Sequence, residues 1–207
     1  MKTKEKILRT ALRLYNAQGT EQVTSRHIAA ELGIQDGNLR YHFPKRADLV
    51  EALYFQLVAS FDQNFTELMG PAPSLRLMYD FLYQTYSLLY QYRFLMVDFA
   101  GIMRRYPKLK NHFSTLIQGR KMLYQQISTR FVAAGLIHPP RLPNEYEWLA
   151  GRLQILSDFW LSSAEILYDG PESQKIDHYV QLSLSAFLPY LTGQGLEEFQ
   201  QLTGTTG

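Results

Sequence analysis

Apolar residues recur at steps of three and four along almost the whole chain, which is the pattern of amphipathic α-helices. The first stripe is formed by Ile7, Leu8, Ala11, Leu12, Leu14 and Tyr15. A later stripe is formed by Leu49, Leu53, Leu57 and Phe61. No segment shows the strict alternation of apolar and polar residues that a half-buried strand requires. The pattern therefore predicts an all-α protein of about nine helices.

Glycine and proline mark the ends of these helices. Thr24 is a good N-cap for a second short helix, which Gly33 closes, and Pro44 ends a third helix that begins near Asp36. The fourth helix continues to the clearest linker of the chain, at residues 70–73. The remaining helices are predicted at about 74–91, 93–105, 108–134, 145–168 and 174–191. The Gly/Thr/Gln-rich tail after Gly193 is expected to fray.

Composition narrows the class of protein. The chain has 207 residues, of which 46% are hydrophobic and 19% charged, as in ordinary globular proteins. The absence of cysteine excludes disulfides and thiolate metal sites. No run reaches the roughly 18 apolar residues of a membrane span, and the N-terminus has no signal-peptide core. We expect a cytoplasmic protein with no membrane association.

Positive charge is concentrated near the N-terminus. Residues 1–50 hold nine Lys or Arg against five Asp or Glu, whereas the rest holds 12 against 14. Such an asymmetry fits a head that binds a polyanion on a nearly neutral body. A solvated basic helix face would give the same balance, so charge alone does not decide.

The segment from Thr24 to Arg46 has the spacing of a helix-turn-helix. Gly33 can adopt the left-handed conformation of the turn, and Ile34 returns an apolar contact to the core. In this motif the second helix enters the major groove of DNA, and its first residues reach the base edges. Small and polar residues, from Gln35 to Asn38, occupy that position here.

Residues 4–50 resemble the N-terminal domain of the tetracycline-repressor (TetR) family. The resemblance rests on the first helix from Ile7 to Gly19, on Thr24 to Ile34, and on the run Asn38-Leu39-Arg40-Tyr41-His42-Phe43 before Lys45-Arg46. It implies a three-helix DNA-binding domain at 1–48 and a helical effector-binding and dimerisation domain at 49–207. The function it implies is a ligand-responsive regulator, of which repression is the commoner mode.

The resemblance also implies roles for single residues. Thr24 and Ser25 would meet phosphates, as would Tyr41 and His42. Base edges would be contacted by Arg26, Asn38 and Arg40, and the backbone would be clamped by Lys45 and Arg46. Many relatives have Tyr where Arg40 stands, so Arg40 could read a base or only neutralise a phosphate. The full DNA-binding set is Thr24, Ser25, Arg26, Gln35, Gly37, Asn38, Arg40, Tyr41, His42, Lys45 and Arg46.

The predicted helix 74–91 carries two adjacent stripes, one of which consists of four tyrosines. Tyr79, Tyr83, Tyr86 and Tyr90 follow steps of four, three and four and share one face. Phenols suit the wall of a cavity because they combine an apolar body with a polar tip. They are equally at home in a core where each hydroxyl is paired.

Two charged residues lie among apolar neighbours. Asp98 and Arg152 would need partners if buried, either each other or a polar group of a ligand. His112 could face a pocket or the solvent. The candidate ligand-binding set is Tyr79, Tyr83, Tyr86, Asp98, Met103, His112, Trp148, Arg152 and Phe159. A cavity of this composition suggests a small, largely hydrophobic or aromatic effector.

The last two predicted helices are candidates for a homodimer interface. The stripe on 145–168 consists of Leu149, Leu153, Leu156, Trp160 and Leu167. The stripe on 174–191 consists of Ile176, Val180, Ser183, Leu184, Phe187, Leu188 and Leu191. Two such helices from each subunit can form a four-helix bundle, and a twofold dimer implies a pseudo-palindromic double-stranded operator.

The alternatives to a DNA-binding regulator are an enzyme and a protein-interaction adaptor. No nucleophile elbow, phosphate-binding loop or metal-ligand spacing is present, so we expect no enzyme, no metal site and no cofactor. A helical protein-interaction adaptor without a small-molecule effector is the alternative to a DNA-binding regulator. Salt-sensitive DNA binding would separate these two hypotheses.

Overall fold

The computed structural model describes residues 3–70 and 72–204, in which the chain forms eleven α-helices. The head comprises α1 (Thr3–Gln22), α2 (Ser25–Leu32) and α3 (Asp36–His42). The body comprises α4 (Arg46–Met69), α5 (Leu75–Gln91), α6 (Arg93–Val97), α7 (Phe99–Arg105), α8 (Pro107–Ala133), α9 (Glu145–Leu167), α10 (Lys175–Ser185) and α11 (Gly193–Thr203). Short 3₁₀ turns lie at Glu172–Gln174 and Leu188–Tyr190. The predicted all-α fold is confirmed.

Local signals in the head act as the sequence predicts. The Thr24 hydroxyl accepts the His27 backbone N–H at 3.3 Å and so caps α2. Gly33 ends α2 with φ of 66°, and the Ile34 N–H then bonds to the Ala29 carbonyl at 3.0 Å. This left-handed conformation is easy for glycine and strained for other residues, so the turn between α2 and α3 depends on Gly33.

Helix α4 belongs to both parts of the molecule. It begins shortly after α3 and packs against α1 of the head and against α5 and α8 of the body. Leu49, Val50 and Leu53, near its N-terminus, are buried. The domain division predicted after residue 48 falls within its first turn and stays a prediction.

Two departures raise the number of helices from about nine to eleven. The predicted helix 93–105 is broken at Asp98, whose φ of −113° and ψ of 41° are not helical. The tail predicted to fray instead forms α11, capped by the Thr192 hydroxyl, which accepts the Gly195 N–H at 3.1 Å. Its Phe199 is buried, and Glu198 accepts the Leu75 N–H at 2.9 Å. The expectation of fraying was wrong because polar composition concealed this docking on α5.

The body helices surround an internal cavity, with walls formed mainly by α4, α5, α8 and α9. Helices α6 and α7 close the end of the cavity nearest α1. In the part of the chain that the structure describes, no helix is long and apolar enough to cross a membrane.

Candidate nucleic-acid interface and ligand cavity

The predicted DNA-binding residues form a mostly exposed surface on the head. Leu39 and Phe43 are buried and hold α3 on the core, so the rest of α3 faces outward. Tyr41 is the extreme case, with 83% of its surface exposed. The exposed members of the set are Thr24, Arg26, Gln35, Gly37, Asn38, Arg40, Tyr41 and Lys45. The half-buried members are Ser25, His42 and Arg46.

Arg40 is paired within its own helix. Its Nε lies 2.8 Å from Asp36 Oδ2, while Asp36 Oδ1 is buried and has no hydrogen-bond partner. On the predicted DNA-binding surface, an unpaired carboxylate would repel phosphates. Arg40 therefore neutralises Asp36 and still presents the remaining nitrogens of a half-exposed guanidinium.

The start of α4 is tied to α1. Arg46 Nη1 lies 3.5 Å from Glu21 Oε2, and Glu21 also accepts a hydrogen bond from Arg105 of α7 at 2.6 Å. The Lys45 backbone N–H donates to Asp48 at 2.8 Å, which fixes the first turn of α4 and leaves the lysine side chain exposed. Lys45 and Arg46 therefore lie at a fixed position shortly after α3.

The cavity offers about 140 Å³ to the centres of water-sized molecules. One water needs roughly 10–15 Å³ of such space, so the cavity is large enough for a small organic molecule. Its walls are mainly aliphatic and aromatic, with Phe61, Phe81 and Phe113 from three different helices. This composition is typical of a site for an apolar ligand.

The tyrosine stripe of α5 lies outside this lining. Tyr86 is fully buried against Trp160, with ring centroids 5.0 Å apart, and its hydroxyl hydrogen-bonds Ser183 at 2.6 Å. Tyr79 donates to Asp177 at 2.5 Å, and Tyr83 is exposed. The neighbouring stripe faces the cavity instead, through Met78, Leu82, Thr85 and Leu89. The core interpretation of the paired tyrosines fits the structure, and the cavity interpretation does not.

Of the other predicted ligand residues, only Met103 lines the cavity. Asp98 is exposed and lies 3.8 Å from Arg105, and Arg152 is exposed and donates to the Tyr190 hydroxyl. Neither residue is buried, and each has a different partner, so the expected pairing of Asp98 with Arg152 is not formed. His112 lies one layer behind the cavity wall, where its Nδ1 hydrogen-bonds the hydroxyl of the lining residue Tyr54 at 3.0 Å.

Trp148 and Phe159 also lie outside the lining, on the outer face of α9. The exposed large apolar residues of this helix are Trp148, Ile155, Phe159, Ile166 and Leu167, of which the first four follow steps of seven, four and seven. Ile166 is 81% exposed and Ile155 64%. On α10 and the turn that follows it, Leu182 and Leu188 are exposed as well. A row of large apolar side chains in solvent is typical of a protein–protein contact.

Most residues of the stripes predicted for dimerisation are buried or half-buried within this chain, but Leu167 and Leu188 are exposed. Leu149 and Trp160 on α9 and Val180 and Leu184 on α10 are buried within this chain, and α10 packs on α5. The predicted faces of helices 145–168 and 174–191 are therefore wrong at these buried residues, and a dimer through the two helices stays a prediction. The stripe of Trp148, assigned to the ligand, is the one that stays exposed.

The polar residues that do line the cavity were missed. Arg120 on α8 and Asp158 on α9 both lie in the wall, together with Tyr124 and Gln154. Arg120 occupies a helical stripe with Phe113, Leu116 and Tyr124, so a charge on an apolar face would have singled it out. The same criterion, a charge on an apolar stripe, also selects Arg152, but its stripe on α9 faces outward.

Asp158 is the unusual acid of the cavity. Burial raises its pKa from 3.8 to about 6, against the opposing effects of a hydrogen bond from Gln154 and of the charge of Arg120. The Gln154 amide donates to Asp158 Oδ1 at 2.8 Å, and the Tyr124 hydroxyl donates to Gln154 at 3.1 Å. Burial also lowers the pKa of Arg120 from its ordinary value.

No group of three or more His, Asp or Glu side chains among residues 3–70 and 72–204 is arranged to hold a metal ion.

Comparison with known proteins gives matches along the chain. Residues 7–53 match the family model described as bacterial regulatory proteins, tetR family, and residues 56–199 match the model described as bacterial transcriptional repressor, TetR. The tetracycline repressor protein of class C from Escherichia coli is 42% identical over 50 residues. That match spans 24% of this chain and only 23% of the repressor.

Solved structures share the fold over nearly the whole length. A TetR-family regulator from Marinobacter aquaeolei has a TM-score of 0.89 at 24% identity, covering 99% of this chain and 98% of that one. A transcriptional regulator from Saccharomonospora viridis, solved with choline, has a TM-score of 0.67 at 23% identity, covering 90% and 95%. The ketosteroid regulator of Mycobacterium tuberculosis has a TM-score of 0.68 at 15% identity, covering 92% and 96%.

The raised pKa of Asp158 predicts a pH-dependent cost to stability. The folded state holds the Asp158 proton more tightly than the unfolded state, so the free energy of unfolding falls as pH rises from about 4 to about 6 and stays lower above that. Asp158→Asn removes this cost and should raise the free energy of unfolding by about 2–3 kcal/mol at pH 7.5 relative to wild type. At pH 4 the two proteins should be equally stable. Urea unfolding at both pH values measures the difference.

The exposed Asp169 provides the control, since Asp169→Asn should change stability by less than about 0.5 kcal/mol at either pH. An Asp158→Asn gain of equal size at pH 4 and pH 7.5 would contradict the proposed titration.

Proposed function

Because the chain belongs to the TetR family of bacterial transcriptional regulators, we propose that it binds a pseudo-palindromic operator as a homodimer and that a small, largely apolar effector releases it. Members of this family bind DNA through the helix-turn-helix and are regulators rather than enzymes. The observation that carries the proposal is the geometry of α4, which begins at Arg46 beside the recognition helix and then forms one wall of the cavity. We also propose that the bound protein represses transcription.

The DNA-binding part of the proposal rests on the exposed face of α3. Asn38, Arg40 and Tyr41 project from a helix short enough for its whole outer side to enter a major groove. Thr24 and Ser25 stand at the N-terminus of α2, where backbone N–H groups and hydroxyls favour a phosphate. Lys45 and Arg46 add positive charge on the other side of α3.

The homodimer in the proposal rests on the outer face of α9. One head covers too few base pairs for tight specific binding, and two related heads match two half-sites about 34–36 Å apart. A second copy of this chain is the partner that supplies the second head. The row from Trp148 to Ile166, with Leu182 and Leu188, offers it an apolar surface.

The proposed response to an effector rests on two connections between the cavity and the head. The first is α4 itself, whose residues from Tyr54 to Leu68 line the cavity. The second is Asn16 of α1, whose amide donates to the Gln91 carbonyl at 2.7 Å and accepts the Phe94 N–H at 3.1 Å. Phe94 belongs to α6, which contributes Leu95 and Met96 to the cavity wall.

A ligand that fits only a widened cavity would therefore displace the elements that hold the heads. Such a displacement changes the spacing of the two recognition helices and lowers operator affinity, as a shift between two populations. The structurally similar regulator solved with choline supports the view that this fold can hold a small molecule.

Arg40→Ala should weaken operator binding by about 10- to 150-fold, the range for loss of one good base contact, since it also leaves Asp36 uncompensated. Operators are first selected from random duplexes with the wild-type protein and again with the variant. If Arg40 reads a base, the variant loses preference at one position of each half-site. If Arg40 only neutralises a phosphate, affinity falls equally for all sequences and the salt dependence becomes shallower.

Arg76→Ala is the matched control, because Arg76 also pairs with an aspartate four residues away, at 3.0 Å, but on α5 of the body. It should leave operator binding unchanged. Unaltered affinity and site preference in Arg40→Ala would remove Arg40 from the DNA-binding set.

Ile166→Asp should disrupt the dimer, because a charge placed in an apolar interface must be desolvated and Ile166 is the most exposed residue of the row. We expect a loss of about 100-fold or more in dimerisation affinity, together with a loss of tight operator binding. Sedimentation equilibrium and DNA titration measure both. Met122→Asp, at an exposed methionine of α8, is the control and should remain dimeric. A dimeric Ile166→Asp protein would show that α9 is not the interface.

Asn16→Ala should weaken the coupling between cavity and head while operator affinity without effector stays within about threefold of wild type. For the tightest compound from a thermal-shift screen, we expect the effector-induced loss of operator affinity to shrink by about fivefold or more. Gln18→Ala, at an exposed position of α1, is the control. An unchanged effector response in Asn16→Ala would mean that α4 alone carries the signal.

A further inference from the structure

Arg120 is the least expected residue of the cavity. Its side chain is 11% exposed, and it lies in a wall that is otherwise mainly aliphatic and aromatic. Its Nη2 is buried and has no hydrogen-bond partner. Leaving a buried donor unpaired is costly, and more so when the donor carries charge. The site is therefore incomplete without a group that accepts from this nitrogen.

The guanidinium is held in position before any ligand arrives. It lies over the rings of Phe61 and Phe65, 5.2 and 4.9 Å from their centroids. Asp62 approaches only to 4.0 Å, beyond hydrogen-bonding distance, and its side chain is mostly exposed. Two cation–π contacts thus orient Arg120 without using its N–H groups.

The nearby carboxylate does not satisfy Arg120. Asp158 accepts from Gln154, which in turn accepts from Tyr124, so this acid belongs to a separate chain of hydrogen bonds. Among the described residues, no ion pair within 4.0 Å joins Arg120 to Asp158. A second buried polar atom of the wall, Thr85 Oγ1, also has no hydrogen-bond partner.

We propose that the effector is an amphipathic acid, with an apolar body that fills the cavity and a carboxylate that accepts hydrogen bonds from Arg120. This rests on the proposed function only in taking the cavity as the effector site. A planar guanidinium matches a carboxylate, which can accept two parallel hydrogen bonds. A cationic ligand would be repelled by Arg120, whose charge already occupies the faces of Phe61 and Phe65. A neutral ligand could accept only a weaker hydrogen bond from the unpaired Nη2.

Matched probes test the charge requirement directly. Octanoate and 4-phenylbutyrate are compared with 1-octanol, 4-phenylbutanol, octylamine and 4-phenylbutylamine by calorimetric titration of the full chain at pH 7.5. We expect each acid to bind at least about tenfold more tightly than its alcohol and its amine, which is the scale of one charge-assisted contact. Acids that bind no better than the alcohols, or not at all below about 1 mM, would overturn the proposal.

Three variants assign the preference to Arg120. Arg120→Gln should bring the acid-to-alcohol ratio of affinities to about one, whereas Arg120→Lys should keep part of it. Arg104→Gln, at an exposed arginine of α7, should leave the ratio unchanged. A full preference for acids in Arg120→Gln would overturn the assignment.

Asp158→Asn supplies a readout that does not depend on the folding of Arg120 variants. Removing a negative charge from the same wall should tighten binding of the acids by about threefold or more and leave the alcohols unchanged. Weaker binding of the acids would contradict the proposal.

Binding and operator release are measured separately. An acid that binds through Arg120 but leaves the operator complex intact would support the effector chemistry and contradict the release mechanism. Release from the operator by the alcohols alone would support the release mechanism and overturn the proposal that the effector is an acid.

Discussion

The stiffness of α4 is the constraint on which the rest of the molecule depends. This 24-residue helix extends about 36 Å at 1.5 Å per residue, and neither end can turn without the other. Its first turns are buried against the head, and its later turns form a wall of the cavity. In the proposed mechanism, a displacement of the cavity-facing turns of α4 is therefore transmitted to the head. The second attachment, at Asn16, makes the head follow two elements of the cavity wall rather than one.

The interior is not arranged for maximal stability. A core of this size could be filled with aliphatic side chains, yet it encloses open space, an unpaired guanidinium nitrogen and an acid whose pKa is raised to about 6. Each of these features costs free energy in the empty protein. Sites that bind ligands commonly give up stability in this way. The open cavity and its polar groups thus point to binding more strongly than the aromatic content of the sequence does.

The head could be predicted from sequence because its signals are local. Thr24 and Gly33 act within one turn of their own positions, and the run from Asn38 to Phe43 lies on a single short helix. The body could not be predicted at the same level, because both stripes of α5 satisfy helical periodicity equally well. Which stripe faces the cavity depends on the position of α10, which pairs with the tyrosines through Ser183 and Asp177. The two stripes of α9 were confused for the same reason.

The pairing of Arg40 with Asp36 has a consequence for how operator preference can change. The carboxylate of Asp36 has one buried oxygen without a partner and depends on Arg40 for its only described ion pair. On the proposed operator surface, replacing Arg40 alone would leave DNA facing an uncompensated negative charge, whatever the new side chain recognises. Under this proposal, positions 36 and 40 act as one unit of specificity, and a search for an altered binding site would vary both residues in the same library.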